Sequence, residues 1–374
     1  MPEKLDRRRY LRGIGATGIG GLTLLAGCSG GDGGGDGGDG DGGDGGGDDG
    51  GGDGGDGGGG QNPTEWVVGA SQEGSPANTW VQGMASEISE HSNKLRWSPQ
   101  FVNGFRAGLV LLNDGELDVA SSWFHNAYQA QNDLGGFAED GDVGPLDKDI
   151  RAMLPVMHQG FWFYATYADR DDIQTIRDLE GMTVGLNVPG AGVSVWGEQQ
   201  FELMGIADSI TFEFLSLGDV GNALQSRQVD AALQLAVNGS ILPTSEARAW
   251  SSVTMKGVEI PEDVRQQHQQ QNELVQFGVV NNEDLNQQGD FDSVHSMLLA
   301  SSQFTTAERD ADLVYEAVKV LVENENALAE YHPAMNLWGL EDGKHKFEGA
   351  IEGTVFHEGA KRYYDENGID YPGQ

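Results

Sequence analysis

Three glycine-rich turns, each leading into a helical pattern, are where this sequence concentrates groups able to do chemistry. They lie at Ser71–Asn78, Asn103–Arg106 and Pro189–Ser194. The first turn of a helix carries amide N–H groups without intrahelical partners, and its dipole adds positive partial charge. Such turns favour a carboxylate or another anion. Arg106 is the one Arg or Lys in these turns, which makes it the carboxylate partner. Asn78 offers both donor and acceptor, while Trp80 and Trp123 present faces on which a carbon skeleton can stack. The candidate ligand-binding set is Ser71, Gln72, Asn78 and Trp80 from the first turn, and Asn103, Gly104, Phe105 and Arg106 from the second. Trp123 and Asn126 follow the next strand, and Pro189, Gly190, Ala191, Gly192, Val193 and Ser194 form the third turn. A plainer reading of the same residues is that the tryptophans only pack, Arg106 rides an exposed helix and the glycines merely start helices.

Catalytic and metal-binding patterns are missing from the sequence. Histidines stand at 91, 125, 158, 268, 295, 332, 345 and 357, with neither an HExxH motif nor paired zinc spacing. His125, just after a strand candidate, falls nearest the expected cleft. No GxSxG elbow or phosphate-binding loop occurs. Gly13-x-Gly15-x-x-Gly18 fits the dinucleotide fingerprint by letter, but Arg7–Arg12 before it is no strand. These readings imply binding without turnover, no cofactor and no metal. Asn238-Gly239-Ser240 fits an N-glycosylation sequon.

Charge and composition divide the 374 residues into three parts. Residues 1–28 carry five basic and two acidic side chains; residues 29–60 are 22 Gly, nine Asp and one Ser. The remainder opposes 48 acidic groups with only ten Arg and seven Lys, and the whole chain has a net charge of −37. That balance excludes nucleic acid and anionic lipid surfaces as electrostatic partners. A Lys-poor acidic surface is the pattern of proteins kept soluble at high salt. Arg7-Arg8-Arg9-Tyr10-Leu11 matches a twin-arginine export signal, and Leu25-Ala26-Gly27-Cys28 resembles a lipobox. Cys28, the sole cysteine, is thus the expected lipidation site. Residues 1–28 read as leader, and 29–61 as a disordered Gly/Asp tether spanning about 30 Å as a flexible coil. Together they predict a protein held by lipid at the outer face of the cell membrane.

The remaining chain must position the turns. Strand candidates at Trp66–Gly69, Leu95–Val102 and Asp118–Ser122 alternate with helical stretches at Thr79–Ser89, Arg106–Leu112 and Asn126–Gln131. Ala152–Val156 and Phe161–Tyr167 follow as strands. The pattern then repeats with strands at Met182–Leu186, Thr211–Leu215 and Asp230–Leu235, and helices at Ser194–Met204 and Val220–Ser226. Residues 260–275, polar and Gln-rich, read as a surface connection. Gln276–Val280 reads as a returning strand, and Asp310–Glu330 as one amphipathic helix with a stripe of Leu313, Val314, Val318, Leu321 and Val322. Alternating strands and helices predict parallel sheets covered by helices. The expected organisation is lobe I at 62–158, lobe II at 159–275 and a return to lobe I at 276–374, with a ligand cleft between lobes.

Four blocks resemble the TAXI solute-binding proteins of tripartite ATP-independent periplasmic (TRAP) transporters, in a halophilic archaeal form. They are the turn Gly69–Ser75, the stretch Asn103–Asp118 with its closing Gly115-x-x-Asp118 turn, Ile176–Gly185 running into Pro189–Gly192, and His357–Tyr364 after His332–Ala334. The resemblance implies a type II periplasmic-binding-protein fold, two α/β lobes around a cleft. It also implies a small carboxylate or amino acid as ligand and a TRAP permease subunit as partner. An ABC-importer or sensor-associated receptor of the same fold is the alternative. Enzymes of this architecture that hold a cofactor through a cysteine are excluded, because Cys28 precedes the fold. Ala77-Asn78-Thr79-Trp80 departs from the family, whose relatives place an aromatic pair there, so the pocket chemistry is this chain's own.

Overall fold

A computed structural model describes residues 62–71, 75–154, 158–189, 191–332, 335, 347 and 349–374. The leader, Cys28, the tether, Gln72 and Gly190 lie outside the described residues.

Strand β1 (Thr64–Gly69) leads to α1 (Pro76–His91), β2 (Leu95–Gln100), α2 (Phe105–Asp114), β3 (Val119–Trp123) and α3 (Phe124–Gln131). After β4 (Ile150–Ala152), the strand β5 (His158–Tyr167) opens a second series: β6 (Thr183–Leu186), α4 (Gly192–Leu203), β7 (Thr211–Phe214), α5 (Leu217–Gln225), β8 (Ala231–Val237), α6 (Thr244–Ser252) and β9 (Met255–Val258). Next come α7 (Glu262–Gln271), β10 (Gln276–Asn281), β11 (Ser293–Thr306), α8 (Ala311–Glu323), α9 (Glu325–Tyr331) and α10 (Glu358–Glu366).

The strands order themselves twice in the same way. In the first half, β2-β1-β3 run parallel and β11 adds antiparallel to β3. In the second, β7-β6-β8 run parallel and β5 adds antiparallel to β8. β5 and β11 also pair with each other, from Met297 opposite Trp162 to Ser301 opposite His158, so two long strands carry the chain out of the first half and back. This mixed α/β arrangement of two similar half-sheets is the type II topology that the resemblance implies.

The repetition extends to side chains. The Asp118 amide, just before β3, donates to Val67 O, and its carboxylate accepts from the Val67 N–H (2.7 Å) and from Arg309 (2.7 Å). Asp230, just before β8, makes the same pair of bonds with Thr183, the carboxylate accepting at 2.9 Å, and takes Arg170 at 2.8 Å. A carboxylate that accepts a backbone N–H and a guanidinium fixes where two parallel strands begin to pair, and charge-assisted bonds of this kind are the strong ones. The turn ahead of Asp118 is closed by Gly115 in the left-handed region (φ 78), which satisfies the last carbonyls of α2.

Three elements differ from the sequence expectation. Residues 262–271 of the supposed connection form helix α7, which buries only Val264 and His268 and so has no apolar stripe to announce it. The helix expected over Asp310–Glu330 is two, α8 and α9, meeting at Asn324, whose Nδ2 donates back to Val320 O (2.7 Å). The stripe on α8 does face the core, with Val314, Val318, Leu321 and Val322 buried. The strand expected over Ala152–Val156 ends at Ala152. Val280, Leu285 and Val294, from β10, its turn and the start of β11, pack with Phe163, Trp250 and Met255 of the second half.

Candidate functional site

The C-terminal ends of β1, β3, β6 and β8 all lead into helices, and the two halves meet where those helices begin. The described residues enclose two cavities there. The larger, about 700 Å³, lies between α2 and α3 of the first half and α4 and the end of α7 of the second.

Arg106 enters this cleft from the first turn of α2 and is the only Arg or Lys among the described residues lining it. Its side chain is 14 % exposed, stands 5.3 Å from the Phe137 ring, and is ion-paired to Asp142. Asp142 sits on a loop tied to itself by the Val143 and Gly144 amides, both donating to Gly136 O (2.9 and 3.1 Å). The loop is pinned to α2 through Asn113 Oδ1, which accepts from the Asp147 and Lys148 amides (2.7 and 3.0 Å). The guanidinium is therefore neutralised by an internal carboxylate that is itself 44 % exposed at the cleft.

Across from Arg106, α3 meets the start of α4. His125 and Asn126 are buried, and both face Gly192. A Cβ at Gly192 would lie 2.5 Å from His125 Nε2 and 3.5 Å from Asn126 Oδ1, so a glycine lets the two halves touch. His125 Nε2 is buried with no hydrogen-bond partner among the described residues. Burial first, and the Arg106 guanidinium second, push the imidazole down to about 3, so it is neutral at physiological pH. Its ring lies 4.6 Å from Trp196, which stands 6.2 Å from His268. Burial holds His268 at about 4, with Nε2 3.2 Å from Gln199 Oε1. The cleft thus combines one guanidinium, the free amides opening α4, a neutral imidazole and a tryptophan edge, a set suited to a small polar ligand with a carboxylate.

The smaller cavity, about 440 Å³, lies between the start of α1 and the start of α6, with Ser75, Thr79, Thr244, Arg248, Asn286 and His332 among its walls.

Of the residues singled out from sequence, Arg106, Asn126 and Gly192 line the larger cleft together. Ala191 caps α4, and Val193 and Ser194 are buried behind it, with Ser194 Oγ donating to Val188 O (3.1 Å). Pro189 is exposed at the turn. Phe105 and Trp123 pack edge to face at 4.8 Å and line neither cavity. Gly104 caps α2 with φ 91, a conformation that suits glycine, and Asn103 is exposed before it. Ser71 is buried after β1; Asn78 Nδ2 is buried without a described partner; Trp80 is fully buried against His332 at 5.7 Å. None of these three lines either cavity; of the described residues of the first turn, Ser75 and Pro76 line the smaller one. Trp196, Gln199 and Asp142 were missed. Trp196 and Gln199 follow Gly192 at helical spacing, whereas the Arg106–Asp142 pair spans 36 residues and leaves no local sign. Among the described residues no cluster of His, Cys, Asp or Glu is placed to hold a metal ion, and no helix is long and apolar enough to cross a membrane.

Comparison with solved structures finds similar chains at low identity. They include the periplasmic aliphatic sulphonate binding protein SsuA from Escherichia coli (15% identity, 83% of this chain and 94% of that one, TM-score 0.40). XAC2383 from Xanthomonas citri, bound to ATP, is 10% identical over 80% of this chain and 98% of its own, with a TM-score of 0.45. An ancestral arginine-binding protein bound to arginine is 12% identical over 73% and 98%, with a TM-score of 0.40. The family model described as NMT1-like matches residues 80–368 of the 374, and the chain belongs to the NMT1-like family.

Proposed function

We propose that this chain is a solute receptor that binds a small organic acid or amino acid between its two lobes and releases it unchanged. The observation that carries the reading is the cleft in which Arg106, the α4 N-terminus and the unpartnered His125 Nε2 face one space. A ligand carboxylate takes the place of Asp142 on Arg106, exchanging one charge-assisted pair for another, while His125 and Asn126 supply neutral hydrogen-bonding groups. Lobe closure on the ligand is the working event, a shift between open and closed populations. The lobes divide, on this reading, where β5 and β11 cross between the half-sheets.

The twin-arginine pattern and Cys28 support export and lipid anchoring at the outer membrane face, with the Gly/Asp tract as tether. The four family-like blocks support delivery to a TRAP-type permease, and the acid-rich composition supports life at high salt. The test is a calorimetric titration across small organic acids, amino acids, sugars and cations. An acid should bind, and Arg106→Gln should weaken it by roughly tenfold or more, the worth of a hydrogen bond to a charged group. A neutral sugar as sole ligand, indifferent to Arg106→Gln, overturns the reading.

A further inference from the structure

The cavity between α1 and α6 has the construction of a second ligand site, separate from the Arg106 cleft. Ser75 is the N-cap of α1, where a serine ordinarily bonds its own helix, yet its side chain makes no capping bond. The residue is 5 % exposed, its Oγ is buried without a hydrogen-bond partner among the described residues, and it lines the cavity. A buried hydroxyl left unpaired carries a free-energy penalty that a ligand oxygen would remove.

The opposite wall begins α6. Its first intrahelical bond runs from the Ala247 amide to Pro243 O (2.8 Å), so the Thr244 amide at the cavity precedes the ladder. Arg248, one turn further on, is exposed, lines the cavity and forms no ion pair among the described residues. Two helix starts, a free hydroxyl and a free guanidinium thus face one space, and no Asp or Glu among the described residues lines it. The rest of the wall is apolar: Val237, Ile241, Leu242 and Pro243. That half has no use for a second charge and favours a hydrocarbon tail.

We propose that this cavity binds a short aliphatic monocarboxylate, its head on the Arg248 guanidinium and on Ser75, with its tail along the Val237–Pro243 wall. The probes are isovalerate and acetate, titrated into the full-length protein. Isovalerate should bind more tightly than acetate, because only its chain reaches the apolar wall. Arg248→Gln should weaken isovalerate at least tenfold, Ser75→Ala severalfold, and Arg106→Gln not at all. Arg248 is a surface residue, so its variant folds; circular dichroism checks Ser75→Ala. Failure of isovalerate to bind at millimolar concentration, or affinity that survives Arg248→Gln, overturns the proposal. So does affinity lost in Arg106→Gln, since the acid would then occupy the other cleft.

Discussion

Gly192→Ala tests the close contact between α3 and α4 at the proposed ligand cleft. The added Cβ would sit 2.5 Å from His125 Nε2 and 3.0 Å from Cε1, about 1 Å inside ordinary contact. The imidazole has little room to retreat, being 4 % exposed with the Trp196 ring 4.6 Å away. Overpacking of this kind costs about 1–3 kcal/mol, and the helix-propensity gain of alanine over glycine returns at most about 1 kcal/mol. The net loss, about 2 kcal/mol when the overpacking term is at its upper end and the propensity gain is full, should lower the melting temperature by a few degrees in a unit of this size. Acid affinity should fall as well, because α3 and α4 share the cleft. The decisive measurement is a double-mutant cycle with His125→Ala, which removes the ring that the added methyl would meet. In that background Gly192→Ala should cost nothing, giving a coupling energy of about 1 kcal/mol or more. An equal loss in both backgrounds would refute the steric account.

Glu246 is fully buried; its Oε2 accepts the Leu235 N–H (3.1 Å) while Oε1 has no partner among the described residues, and burial raises its carboxyl well above the usual range. A raised folded-state value gives stability that is complete below the unfolded value of 4.5 and lost as pH rises through the folded one. Glu246→Gln should therefore match wild type near pH 4 and gain on it toward neutrality, by up to about 1.4 kcal/mol per pH unit, in melts followed from pH 4 to 9. Salt should stabilise the protein, since 48 acidic groups oppose 17 basic ones beyond the tether; a melting temperature unchanged between dilute and molar potassium chloride would contradict this. Cys28→Ser should release the exported protein from membranes, and a mature variant that still sediments with them would remove the lipid anchor.

Elements with their own punctuation were legible in the sequence. Helix α2 begins at Gly104 and stops at Asp114-Gly115, and β1, β3, β6 and β8 are short apolar runs between turns. Strand β11 was missed because both its faces are buried and it alternates nothing. Several of its polar side chains find partners far away, such as Ser121 Oγ (2.9 Å from Gln303 Nε2) and Asp118 O (2.8 Å from Thr305 Oγ1). At the cleft, Arg106 and Gly192 were visible as a charge and a helix start. Asp142 was not, since it reaches Arg106 through tertiary folding, and His125 could be placed near the cleft but not against Gly192.

The late position of β11 has a consequence for how the chain is made. The second half-sheet, β5 to β8, is contiguous in sequence and can close as soon as Val237 is synthesised. The first half waits for its fourth strand until Ser301–Phe304 arrives to pair with Ala120–Trp123. Pairing at that separation incurs loop-closure entropy before it gains contacts, and it leaves β3 with an open edge in the interval. The first half-sheet, made before the second, is therefore the last to finish, and it is the part a nascent chain must shield from aggregation.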